Sequence, residues 1–142
     1  MILYQLHIMW YETAMIKECC DSVMAAKQAS PEVDVKVKIC LNKQTYIEKP
    51  EEGVSIDSFF NEHLNHPLLA DKNTEVIIKS DKDQFYNIAD WRREVYDSPA
   101  KYTVWGETDT ILHRDIFYIL SSIGIDQPHV LPFAGRHMWA IR

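Results

Sequence analysis

The chain opens on an apolar run, Ile2 to Met9 (ILYQLHIM), rich in β-favouring residues and short enough for a buried strand. From about Thr13 the period changes. Met15, Ile16, Cys19, Cys20, Val23 and Met24 recur at helical spacing, and Lys17, Glu18 and Asp21 supply a wet face. Ser30-Pro31 closes that helix. Val33, Val35, Val37 and Ile39 then alternate with Asp34, Lys36 and Lys38, which predicts a strand with one polar face running out through Cys40-Leu41 into Asn42-Lys43-Gln44. Residues 42–55, with Pro50 and Gly53, read as a loop, and 56–64 (IDSFFNEHL) as a short helix. Glu75 to Lys79 (EVIIK) is a third strand. Asp83 is placed to cap a helix in which Phe85, Ile88, Ala89, Arg92 and Tyr96 repeat, and Pro99 ends it. Tyr102 to Trp105 is a short strand with Gly106 at its end. Asp115 to Ile123 forms a helix stopped by Gly124, and Val130 to Phe133 a last strand, near an edge because of Pro132.

Strands alternate with helices along the whole chain, without repeats or low-complexity segments. That order predicts an α/β fold with a mostly parallel sheet and helices on both faces. At 142 residues the chain makes one domain with a real core. The formal net charge of −6 and the scattered Lys and Arg argue against a general nucleic-acid binder. No apolar stretch approaches the roughly 20 residues of a membrane-spanning helix. The N-terminal MILYQLHIMWYE has no basic leader and no small-residue cleavage site, so it reads as a first strand and the expected location is cytoplasmic. Three cysteines, Cys19, Cys20 and Cys40, make neither a disulfide framework nor a zinc motif.

In parallel sheets ligands bind beyond the carboxyl ends of the strands, so those ends are where chemistry is expected. They read Trp10-Tyr11-Glu12, Asn42-Lys43-Gln44, Ser80-Asp81 and Gly106-Glu107-Thr108-Asp109. The last is the most informative. Two carboxylates one residue apart, after a strand end and a glycine, are placed to face one cleft, and carboxylates suit hard cations such as Mg²⁺ or Mn²⁺. An E-x-D triplet alone is common in acidic proteins, where it also serves as loop acids capping the next helix. The chain contains neither G-x-G-x-x-G nor G-x-x-x-x-G-K-[ST], and its four glycines argue against a dinucleotide or P-loop site.

The segment Asn87-Ile88-Ala89-Asp90-Trp91-Arg92-Arg93, then Tyr102-Thr103-Val104-Trp105-Gly106-Glu107-Thr108-Asp109, resembles family 2 glycosyltransferases with the GT-A fold. There, a helix bearing small residues and an Arg precedes a strand ending in the D-x-D metal motif. Ile8-Met9-Trp10-Tyr11-Glu12 looks like that family's first strand and nucleotide-binding loop, and the likeness is nearest to divergent phage and bacterial members. The resemblance implies a Rossmann-like sheet, a nucleotide-sugar donor, Mn²⁺ or Mg²⁺ as cofactor, and sugar transfer to an acceptor that it does not identify. It implies that Asp109 and Glu107 hold the metal, and that Glu107 alternatively reaches the sugar. Tyr11 and Glu12 border the nucleoside, Asn42 reads base or ribose, and Asp90 or Arg92 reaches sugar or diphosphate. A downstream histidine, His137, is a further candidate ligand.

Two departures stand beside it. No carboxylate lies between Phe133 and Arg142, where the family keeps its base, so no catalytic base is assigned. The family also generally continues well past this length, which implies a single domain over 1–142 whose acceptor half is missing or reduced. A non-catalytic module of the same fold is the alternative. A nucleotidyltransferase would want a Gly-rich basic loop where Trp10-Tyr11-Glu12 stands.

Overall fold

The computed structural model describes residues 1–12, 14–46, 48–84, 89–90, 93–94, 97–123, 130–132 and 139–141. Strands β1 (Ile2–Met9), β2 (Val35–Asn42), β3 (Thr74–Lys79) and β4 (Tyr102–Glu107) are parallel, and two short strands, β5 (Val130–Pro132) and β6 (Trp139–Ile141), complete the sheet. The spatial order is β3-β2-β1-β4-β6-β5, with β6 antiparallel to both β4 and β5. The helices are α1 (Ile16–Ala29), α2 (Ile56–His63), α3 (Pro67–Ala70) and α4 (Ile116–Ser122). The expected mostly parallel α/β, Rossmann-like sheet is the observed one.

The hydrophobic pattern accounts for most elements and not for others. Helix α1 buries Ile16, Cys19, Cys20, Val23 and Ala26 along one stripe, while Lys17 and Asp21 pair at 2.7 Å on the wet face. Ser55 caps α2 by accepting from Ser58 N at 3.3 Å. Helix α3 has no counterpart in the pattern: Pro67 opens it, and His66 Nδ1 accepts the Leu68 amide at 3.0 Å in place of a hydroxyl cap. Strand β2 starts at Val35, because Val33 N bonds back to Ser30 O in the turn leaving α1. Strand β4 runs on through Gly106 to Glu107 rather than stopping at Trp105, since β1 pairs with it as far as His7 with Glu107. Strand β6 is likewise absent from the pattern; three residues carry too little period to be read alone. Pro132 lies on the edge strand, as its missing N–H requires. The helix expected after Asp83 falls largely outside the described residues. Ala89, Asp90, Arg93 and Glu94 are helical, and Asp83 itself closes a turn by accepting from Ser80 N at 2.6 Å.

Strand alternation divides the sheet into two unlike faces. Tyr4, Leu6, Ile8, Val37, Ile39, Tyr102 and Val104 form one core with Cys19, Val23, Phe60, Leu68, Ile116, Phe117 and Leu120. The opposite face buries Gln5, Cys40, Thr103 and Trp105. Lys38 on that face meets Glu94 at 2.7 Å, so the helical turn at Glu94 covers it. Helices therefore flank both faces. All three cysteines are buried and free, and burial pushes the Cys19 and Cys40 thiols up to about 11 and Cys20 to about 12, which keeps them unreactive. Among the described residues no helix is long and apolar enough to cross a membrane.

His7 lies on the polar face, and burial pushes its imidazole down to about 4. Its unfolded value is near 6.5, so the unfolded chain binds the extra proton first. Stability is therefore fully present above about pH 6.5 and is lost as pH falls towards 4. We expect about 2 kcal/mol less stability at pH 4.5 than at pH 7, after allowance for partial exposure. Urea midpoints at the two pH values check this, and His7→Gln should remove most of the difference.

The chain steps from β1 to β2 to β3 in one direction and then returns to place β4 on the other side of β1. A right-handed crossover in that reverse direction must pass over the opposite face, where Glu94 is found. The strand order thus reverses between β1 and β4. At such a reversal the loops leaving the two carboxyl ends diverge and open a crevice.

Candidate functional site

The residues that follow β1 and β4 line a cavity of about 280 Å³ at this reversal: Tyr11, Glu12, Ala14, Met15, Glu107, Thr108 and Asp109. Tyr11 and Glu12 leave β1 in a turn closed by Glu12 N donating to Met9 O at 3.0 Å. The Tyr11 ring is partly exposed and rests edge-on against buried Trp10, with centroids 5.7 Å apart. Trp10 is itself fixed: its backbone N donates to Asn42 O at 3.0 Å and its indole to Glu48 O at 3.0 Å.

Glu107-Thr108-Asp109 occupies a tight turn. Thr110 N donates to Glu107 O at 2.9 Å, and Thr110 Oγ1 accepts from Glu107 N at 3.2 Å. Helix α1 braces this turn from below. Cys19 Sγ donates to Glu107 O at 3.6 Å, and Ser22 Oγ accepts the Leu112 amide at 3.0 Å while donating to Cys19 O at 2.7 Å. The strand-end reading of the sequence does not reach these supports. Thr110, the fourth residue of an acidic turn, carries a readable signal; Cys19 and Ser22 carry none, since only the packing of α1 brings them there.

Two electrostatic features meet in the cavity. The Glu12 carboxyl is held above its ordinary range, first by partial burial and then by the Glu107 and Asp109 charges. Facing the acids is the start of α1, where Met15 at the cap position has no side-chain hydrogen bond and, with Ala14, lines the cavity. The amides of a first helical turn carry partial positive charge. One wall is therefore acidic and the other is a helix N-terminus. Among the described residues no three His, Cys, Asp or Glu side chains form a complete ligand set for a metal ion.

A carboxyl whose folded value lies above its unfolded value contributes stability at low pH that is lost as pH rises through the raised value. Ionised Glu12 therefore opposes folding at neutral pH. We expect Glu12→Gln to raise the melting temperature at pH 7 and to leave it unchanged near pH 4; thermal melts at both check this.

Of the residues expected at the site, the structure gathers Tyr11, Glu12, Glu107 and Asp109. Asn42 is fully buried at the end of β2, where Oδ1 accepts from Gln44 N at 2.8 Å, and it does not line the cavity. Asp90 lines a second cleft of about 330 Å³ beyond β3, with Lys79 and Arg93, and accepts from Arg93 at 3.4 Å. Arg92 and His137 lie outside the described residues. A larger groove of about 710 Å³ between α1 and the α2–α3 junction adjoins the first cavity at Ala14. Its polar cluster serves the scaffold: Asp21 holds His66 Nε2 at 2.7 Å, fixing the ring that caps α3.

No family profile matches the chain, and no characterised protein matches it by sequence. It is similar in structure to a mannosyltransferase from Pyrobaculum calidifontis in complex with GDP-Man and Mn²⁺, at 11% identity and a TM-score of 0.47, over 80% of this chain and 29% of that one. It is also similar to a protein from Desulfovibrio desulfuricans described as a nucleotide-diphospho-sugar transferase, at 9% identity and a TM-score of 0.47, over 99% of this chain and 63% of that one. The chain thus spans less than two thirds of either protein's length.

Proposed function

We propose that the crevice between β1 and β4 binds a nucleoside-diphospho-sugar through a divalent cation, and that the chain is a GT-A-type glycosyltransferase domain. The observation that carries this reading is the pair Glu107 and Asp109, held on a braced turn at the sheet reversal opposite an uncapped helix N-terminus. That pairing suits a ligand that is anionic and cation-bound. The acids take the cation, and the α1 amides take phosphate oxygens.

The donor set fits Mn²⁺ or Mg²⁺. Such ions accept one or two carboxylates and complete their shell with water and phosphate oxygens, so a full protein cage is not required. Asp109 and Glu107 are the residues that hold it. When bound, the ion neutralises charge developing on the departing nucleoside diphosphate. Tyr11 offers its exposed ring to the base, and Glu12 borders the nucleoside. Asn42, from its buried position, supports the β2 exit and bears on the base indirectly. Asp90, in the cleft beyond β3, serves the sugar or diphosphate from there; Arg92 is the alternative for that role.

Calorimetry or thermal melts with UDP, GDP and CDP, each with and without Mn²⁺, test the reading. Stabilisation by one diphosphate that requires the metal is the expected result. If no diphosphate moves the melt under either condition, the site does not bind this ligand class.

A second reading keeps binding and drops catalysis, because no carboxylate stands between Phe133 and Arg142 to deprotonate an acceptor. Release of free sugar from the bound donor separates the two.

A further inference from the structure

Strand β3 ends the sheet on one side, and among the described residues no strand pairs with its outer edge. Asn73 O accepts from Val37 N and Lys79 O from Lys43 N, so the odd-numbered residues turn their backbone groups towards β2. By alternation, the N–H and C=O groups of Thr74, Val76 and Ile78 point outward. The sequence TEVIIK contains no proline, glycine or bulge to protect that edge. Val76 and Ile78, next to it on the α1 side, are 37% and 54% exposed although both are strongly apolar.

We propose that a second copy of this chain covers the edge, pairing β3 with β3 antiparallel about a two-fold axis at Ile77. In that register Val76 lies opposite Ile78 on one face. On the other face Glu75 lies opposite Lys79, and Ile77 meets Ile77. The backbone agrees with this choice. Outward groups belong to even residues, so Val76 and Ile78 exchange the hydrogen bonds. Glu75 and Lys79 then fall on the non-hydrogen-bonded pairs, where opposed side chains approach most closely. A shift of two residues one way places Glu75 opposite Ile77, and a further shift places it against its own copy. Only one register pairs both charges and both exposed apolar residues. The interface is isologous and closed, and it joins the two sheets into one. This inference does not rest on the proposed donor site, although Lys79 also lines the cleft that holds Asp90.

Sedimentation velocity on the whole chain over about 1–100 µM tests it. The wild type should dimerise. Glu75→Lys sets two lysines against each other across the axis, and Lys79→Glu sets two glutamates there. Each should weaken the dimer by roughly tenfold or more, because two symmetric pairs change from attraction to repulsion. An equimolar mixture of the two variants should dimerise again, since every charge then meets its opposite. Circular dichroism confirms that each is folded. Amide exchange at Val76 and Ile78 gives the same answer without substitution, slowing as the wild-type concentration rises. A wild type that stays monomeric, a Glu75→Lys variant that dimerises unchanged, or a mixture that stays monomeric would each overturn the proposal.

Discussion

Gly106→Ala should cost about 3 kcal/mol or more and lower the melting temperature by roughly 10 °C. A methyl group at Gly106 would lie 2.5 Å from Tyr4 Cζ and 2.8 Å from Cε2, well inside contact distance. Neither side can yield. Tyr4 is fully buried in β1 with its hydroxyl against Cys19 Sγ, and Gly106 is held in register beside Leu6 of β1. The glycine therefore answers to a neighbour rather than to an unusual backbone angle, and the tyrosine ring occupies the place of its side chain. Tyr4→Leu removes the atoms in conflict, so the double variant should be more stable than Gly106→Ala alone although Tyr4→Leu by itself destabilises. Urea unfolding of the four proteins measures that coupling. A single variant that melts within about 2 °C of the wild type would show that the two strands can slide apart.

Asp109→Ala should weaken metal-dependent nucleoside-diphosphate binding by about 100-fold or more, roughly 3 kcal/mol. The same change should leave the ligand-free protein as stable as before or slightly more so. Asp109 is one of the two charges that hold the Glu12 carboxyl up, and removing it relieves a repulsion inside the cavity. Binding and stability thus move in opposite directions, which a purely structural role for Asp109 does not produce. Titrations with and without Mn²⁺, beside melts of the ligand-free protein, read both. Loss of stability together with loss of binding would count against the assignment.

The parallel part of the fold is legible in the sequence because its signals are long. Ile2–Met9 is a run of eight residues rich in β-favouring side chains, Val33 to Ile39 alternates with polar residues, and Met15 to Met24 repeats at helical spacing. Short elements without a marker residue are not legible: α3 has four residues and β6 three, whereas β5, also of three, is flagged by Pro132. The end of β4 is easily misread because Gly106 looks like a stop, whereas the contact that requires it comes from Tyr4, far away in sequence. At the site, the strand-end rule locates Tyr11, Glu12, Glu107 and Asp109. It treats all strand ends alike, however, and so gives the ends at Asn42 and at Ser80-Asp81 the same standing. The order of the strands separates them, because only the β1 and β4 ends meet at the reversal. That order depends on pairings between distant segments, which no local pattern encodes.

The register of β1 with β4 sets Ile2 beside Tyr102 and His7 beside Glu107. The two walls of the crevice are thus made from distant parts of the polypeptide, and their pairing closes a loop that contains nearly everything between them. We expect contacts of such long range to form late, after the local helices and the β1–β2 unit. A ribosome must release β4 before the crevice exists at all, so nascent chains are blind to the proposed donor. A ligand held there clasps the first strand to the fourth, and a nick in the chain between β3 and β4 would leave two pieces that the ligand itself could help to reassemble.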